Sequence, residues 1–184
     1  DNNGTREQLL TYSKEGKRFP FLGKDELEKQ IPSIKKEFLR YADFAGKTVE
    51  EIFGDRLTKA SVYKAADCAS AIFINDGKGN FSMNALPWKA QLTCLKDAVT
   101  IDANGDNLPD ILTAGNFYEQ AIPLNRSDAG FGTVLINKGK GNFDAENING
   151  LAIKNQVRHI LPLKIKNKTA YVIARNNDPL MLIQ

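Results

Sequence analysis

The chain has 184 residues, 42% of them hydrophobic and 26% charged, which excludes a fibrous or disordered polymer and leaves room for one ordinary core. Its 25 Lys and Arg against 22 Asp and Glu leave a net +3, concentrated locally only at Lys35-Lys36 and between Lys164 and Lys168. That balance carries no basic stripe interleaved with aromatics, so a nucleic-acid surface is not expected, and no apolar run reaches the length of a membrane-spanning segment.

The chain opens on Asp1, not Met, and reads as a processed product or fragment, so any export signal would lie outside it. The segment GKDELEKQIPSIKKEFLRYADFAGKTVEEIF, residues 23–53, is the helical part of the sequence. Leu27, Ile31, Ile34, Phe38 and Tyr41 recur at three- and four-residue spacing and predict one apolar face. Pro32 can open a helix but not sit within one, so it divides the segment in two. Thr48-Val49-Glu50-Glu51 has the capping-box pattern that starts a further short helix. Two readings of the insert stand: helices capping a sheet, or an amphipathic surface for a membrane or partner.

From residue 68 onward the patterning changes to strands. The two cysteines, Cys68 and Cys94, lack CxxC spacing, and the single His159 cannot complete a zinc site with them. They either form one bridge, whose loop closure would stabilise by roughly 3–4 kcal/mol, or remain free, Cys68 then buried in the apolar run CASAIFIN. Strands are expected at 95–102, 110–117, 133–137 and 142–148, each short and bounded by Gly, Asn, Asp or Pro. The tail, QVRHILPLKIK followed by TAYVIARNNDPLMLIQ, predicts a hairpin around a Lys-Asn-Lys turn.

The sequence repeats itself. FINDGKGNF at 73–81 returns as LINKGKGNF at 135–143, an offset of 62 with seven of nine residues identical. Glycine-rich turns of this kind suit hairpins, since glycine supplies the positive φ they require. DNNGTREQLL at 1–10 is echoed by DANGDNLPDIL at 102–112, an offset of 101. The offsets differ by 39 residues, which places an insertion of that length in the first repeat, where the helical segment lies.

IDANGDNLPDIL, residues 101–112, carries the clearest chemistry. With Asp102 as position one, Asn104, Asp106, Leu108 and Asp110 follow at three, five, seven and nine. Alternating oxygen donors from a tight loop, with the Leu108 carbonyl among them, suit a hard cation, Ca²⁺ in preference to Mg²⁺. An EF-hand is excluded, because Thr113 stands where a bidentate Glu is required and strands, not helices, flank the loop. The alternative is an Asx-rich turn whose side chains cap their own backbone. The related loop Asp1 to Glu7 keeps only the opening of the pattern, Thr5 replacing an acid, and leaves metal binding there open.

The order strand, DxNGDNLPD, strand, NKGKGNF resembles the FG-GAP/VCBS repeat, the blade of integrin-α-type β-propellers. A closer likeness is to the large surface or secreted VCBS-repeat proteins of Bacteroidetes related to cartilage acidic protein, whose recurring features KDELEKQIPSIKKEFLRYADFA and NRSDAGFG also resemble. The resemblance implies a mainly β chain of about two and a half four-stranded antiparallel blades, stabilised by packing on neighbouring units. Residues 1–94 would form one blade with a helical insert at about 23–58, residues 95–150 a complete blade with the calcium loop, and 151–184 a partial last blade. It implies Ca²⁺ held by Asp102, Asn104, Asp106, Leu108 and Asp110, the Asn at 104 departing from the family's Asp.

The same resemblance implies a secreted, cell-surface or periplasmic protein whose partners are the rest of its propeller and a protein or glycan ligand. The expected function is non-catalytic recognition, with loop 117–132 (FYEQAIPLNRSDAGFG) either the contact surface or an ordinary long inter-strand loop with structural Gly130 and Gly132. An alternative is a scaffold subunit in a larger outer-membrane or secreted enzyme or transport assembly. No nucleophile or metalloprotease motif accompanies His159, and an enzyme is not expected.

Overall fold

In a computed structural model of the chain, residues 4–120, 124–147 and 150–184 are described. They are mainly β, with every strand pair antiparallel, and the chain divides into two compact units, Asp1–Lys64 and Ala65–Gln184. No helix among the described residues is long and apolar enough to cross a membrane.

The first unit opens with a hairpin, β1 (Thr11–Lys14) and β2 (Lys17–Pro20). Glu15 and Gly16 both take positive φ between them, the twist a two-residue hairpin turn needs. Tyr12 and Phe19, directly opposite, stack with ring centroids 5.7 Å apart. Four short helices follow: α1 (Lys24–Gln30), α2 (Ser33–Glu37), α3 (Tyr41–Phe44) and α4 (Val49–Phe53). Pro32 separates α1 from α2 as its fixed φ and missing N–H require. At α4 the capping box is complete: Glu51 N donates to Thr48 Oγ1 at 3.2 Å, and Thr48 N donates to Glu51 Oε2 at 2.7 Å.

Leu27, Ile31, Ile34, Phe38, Phe44, Val49, Ile52 and Phe53 form the core of this unit. Tyr41 does not join it. The chain is extended at Arg40, which resets the helical phase, so Phe44 turns inward while Tyr41 stays exposed with its hydroxyl on Asp25 at 2.9 Å. Where the spacing suggests one apolar face through Tyr41, the structure instead starts a separate helix, α3, there.

Residues 60–69 are exposed and carry no regular structure. Cys68 lies there, because CASAIFIN becomes strand only at Ala71, and Cys94 is exposed as well. Both thiols are free, which corrects the expectation of a buried or bridged Cys68.

In the second unit, β3 (Ala71–Asn75) and β4 (Phe81–Ala85) pair as a two-stranded sheet. Strands β5 (Leu95–Ile101), β6 (Asp110–Gly115), β7 (Thr133–Asn137) and β8 (Phe143–Glu146) form a four-stranded meander in chain order. Strands β9 (Val157–Ile165), β10 (Lys168–Arg175) and β11 (Met181–Ile183) complete a third sheet, ordered β11-β10-β9. All these sheets are open. The hairpin β1-β2 is a two-stranded sheet of the first unit, and β3-β4 one of the second.

The sequence repeat is also a structural one. Asn75 faces Phe81 across β3-β4, and Asn137 faces Phe143 across β7-β8, the same register 62 residues on. In each copy the Asn side chain accepts from the backbone N–H two residues on, Gly77 or Gly139, at 2.8 Å.

The core of this unit lies between the β5–β8 and β9–β11 sheets. Leu112, Ala114, Val134 and Ile136 meet Val157, Ile160 and Ile173, with Ile153 from the connecting loop. Strands β6 and β7 are buried along nearly their whole length, whereas β5 alternates in and out of solvent. Burying side chains of this size stabilises by roughly 1.5–3 kcal/mol each. Asp97 adds a polar tie between the sheets: its Oδ2 accepts from Ile160 N at 2.8 Å, next to a register shift in β5.

Candidate functional site

Residues 102–109 connect β5 to β6 as a loop in which the side chains of Asp102, Asn104 and Asp106 each bond to nearby backbone or to a neighbour. Asp102 Oδ1 accepts from Gly105 N at 2.8 Å and its Oδ2 from Asn107 N at 3.3 Å. Gly105 and Asn107 take positive φ, which lets the chain fold back over the Asp102 carboxylate. Asn104 Oδ1 accepts from Asp106 N at 3.0 Å, and Asn104 Nδ2 donates to Asp106 Oδ2 at 2.8 Å. Asp106 Oδ1 accepts from Leu108 N at 2.7 Å. This last bond, then the Asn104 amide and the Lys138 charge, hold the Asp106 carboxyl below the usual aspartate range.

Asp110 differs from the others. It is 0% exposed, at the start of β6 on the same face as Leu112. Its Oδ2 accepts from Ala103 N at 2.9 Å and its Oδ1 from Asn137 N at 2.8 Å, while Asn137 Nδ2 donates to Pro109 O at 3.0 Å. The loop is thereby fastened to the end of β7. Asn137 escaped the reading of the loop, although its place in the repeated INxGKGN marks it.

The donor set is all oxygen: three carboxylates, one carboxamide and the Leu108 carbonyl. Among the described residues no three His, Cys, Asp or Glu side chains converge in a ready-made metal cluster. The carboxylates point at N–H groups instead, two bonds each. A carboxylate has about four lone-pair sites, so these bonds leave capacity for a cation, and the residues fit a hard ion in chemistry and spacing.

The opposite end of the meander carries the long loop between β6 and β7, of which residues 121–123 lie outside those described. Asn116 anchors it. Only 1% exposed and at positive φ, it donates from Nδ2 to the carbonyls of Gly130 and Asn155, at 2.9 and 3.0 Å. Its Oδ1 accepts from Gly130 N and Thr93 Oγ1. Composition gives no sign of this role, since Asn116 reads as an ordinary strand-end residue.

Beyond Asn116 the side chains are largely paired. Phe117 and Ser127 exchange both backbone hydrogen bonds at 2.8 Å, with Lys96 Nζ 4.1 Å over the Phe117 ring. Arg126 lies 5.0 Å from the Tyr118 ring centroid and 3.1 Å from Asp128. Glu119 pairs with Arg158 at 2.8 Å. His159 is exposed, with Nδ1 3.5 Å from Asp97 Oδ2. Of the first loop, Asp1 to Asn3 lie outside the described residues, while Thr5 Oγ1 donates to Glu7 at 2.6 Å.

No family model matches this chain, and neither does any curated protein or solved structure.

Proposed function

We propose that residues 95–184 are two neighbouring blades of a β-propeller, the second partial, belonging to a secreted, cell-surface or periplasmic protein. The loop 102–110 takes Ca²⁺ as a structural ion, held by the Asp102, Asp106 and Asp110 carboxylates, the Asn104 carboxamide oxygen and the Leu108 carbonyl. The ion supplies charge neutralisation and a cross-link between β5 and β6. The protein works by recognition, not catalysis, and offers the β6–β7 loop to a protein or glycan ligand.

One observation supports this most: a four-stranded meander in chain order has the acidic loop between its first two strands, fastened by buried Asp110 to the end of the third. The face-to-face core with the next sheet is what adjacent blades would share. Titrating Ca²⁺ during thermal melting tests the ion. Stabilisation should saturate, reaching about 2.7 kcal/mol at a hundred times the dissociation constant. Asp102→Ala should abolish it and Mg²⁺ should reproduce it poorly. A melting curve indifferent to Ca²⁺ in both proteins rules out the cation.

A further inference from the structure

We infer that the Asn104-Gly105 bond is a latent deamidation site, kept closed by Asp102. The reactants are adjacent in sequence: the Asn104 carboxamide carbon and the Gly105 backbone nitrogen, which no side chain on residue 105 shields. Gly105 has open space around it, and a Cβ built there would meet nothing within 4 Å.

The chemistry needs only water. The Gly105 nitrogen gives up its proton to solvent and attacks Asn104 Cγ. The Cγ–Nδ2 bond breaks, ammonia leaves, and a five-membered succinimide closes. One water then opens the ring. Attack at Cγ leaves aspartate at position 104, and attack at the main-chain carbonyl carbon leaves isoaspartate. One water is consumed, one ammonia released, and nothing is oxidised or reduced.

Three restraints oppose this in the folded loop. The Gly105 N–H is held by Asp102 Oδ1 at 2.8 Å, so the nucleophile is occupied. The carboxamide is held at both ends by Asp106, through Asn104 Oδ1 to the Asp106 amide and Asn104 Nδ2 to the Asp106 carboxylate. Attack requires the N–H to leave Asp102 and the amide to rotate off Asp106. The reaction rate then follows the population of the opened loop, as for any chemistry gated by local unfolding. Asp102 and Asp106 both offer a charged acceptor, the stronger kind, but only Asp102 holds the attacking nitrogen itself, which assigns the larger share of protection to it. Either product adds a negative charge to a loop already holding three aspartates, and isoaspartate also lengthens its backbone.

This inference does not depend on the cation, and its test runs in chelator. The full chain is incubated at mildly alkaline pH, digested, and the peptide containing residue 104 is followed by mass spectrometry for amide-to-acid conversion. Folded wild type should convert at least about tenfold more slowly than the same chain in urea, because the closed loop must open first. Asp102→Ala should convert several-fold faster than wild type, while Asp102→Asn, which keeps a neutral oxygen for Gly105 N–H, falls between the two. Equal rates in wild type and Asp102→Ala overturn the assignment. Should Asp102→Ala unfold, the wild-type comparison decides: a folded chain converting as fast as the chain in urea overturns it equally.

Discussion

The backbone amide of Asn137 donates a 2.8 Å hydrogen bond to Asp110 Oδ1, joining the end of β7 to the start of β6 across 27 residues. The other oxygen of the same carboxylate takes the Ala103 amide, and the Asn137 side chain returns a bond to Pro109. One buried acid therefore holds three chain segments, and the loop's position depends on it more than on its exposed neighbours.

Asp110→Ala should destabilise the second unit by roughly 2–4 kcal/mol, since two amides lose a charged acceptor in a buried site. Asp110→Asn keeps an acceptor for one of them and should cost less. Urea denaturation followed by circular dichroism measures both. Equal stability of Asp110→Ala and wild type would show the tie to be dispensable.

Asn116 should be as sensitive at the other end. Its amide donates to two carbonyls and accepts from one amide and one hydroxyl, all in a site closed to solvent. Asn116→Asp replaces the donor with an acceptor facing the Gly130 and Asn155 carbonyls and should destabilise more than Asn116→Gly, which tolerates the positive φ. The expected loss for Asn116→Asp at neutral pH is about 3 kcal/mol or more. Thermal melts of the two variants give the order, and the reverse order would refute it.

The Asp106 carboxyl is depressed chiefly by the Leu108 amide, then by Asn104. For a depressed acid the stabilisation is present above the unfolded aspartate value, near about 3.9, and is lost as pH falls through the lower folded value. The Leu108 amide resonance should thus keep its bonded shift through the ordinary aspartate range and change only in stronger acid. Asn104→Ala should move that midpoint upward. A wild-type midpoint at or above the ordinary value contradicts the bond.

In the first unit Arg56 is a clamp. Its guanidinium meets both Glu37 oxygens at 3.0 and 2.7 Å and donates to the carbonyls of Ile52 and Phe53 at the end of α4. The ion pair is about two-fifths exposed on each side and contributes under about 1 kcal/mol alone. Arg56→Ala, which also frees the helix carbonyls, should cost roughly 1–2 kcal/mol, more than Glu37→Ala. Arg56→Lys should not restore it, because an ammonium cannot span the fork. Hydrogen exchange at the Ile52 amide reports the difference, and equal protection in all three variants would remove Arg56 from this role.

Local pattern was enough to read the strand positions from 95 onward, the Pro32 break and the Thr48 capping box, because each rests on neighbours a few residues apart. The repeat was legible too: identical glycine turns produced identical register in β3-β4 and β7-β8. The acidic loop was visible as a donor set, since five oxygens at alternate positions need no tertiary information.

What the tertiary structure decided lies where distant segments meet. That Asp110 alone of the loop acids is buried follows from the facing of β6 against the β9–β11 sheet, which spacing within the loop cannot show. Asn116 and Asn137 became structural because their partners come from elsewhere in the chain, and Tyr41 turned outward because the backbone at Arg40 broke the helical phase. Periodicity reports which face of one element is apolar. Which polar side chain is sealed from water depends on the element that packs over it, and that is a property of the assembled fold.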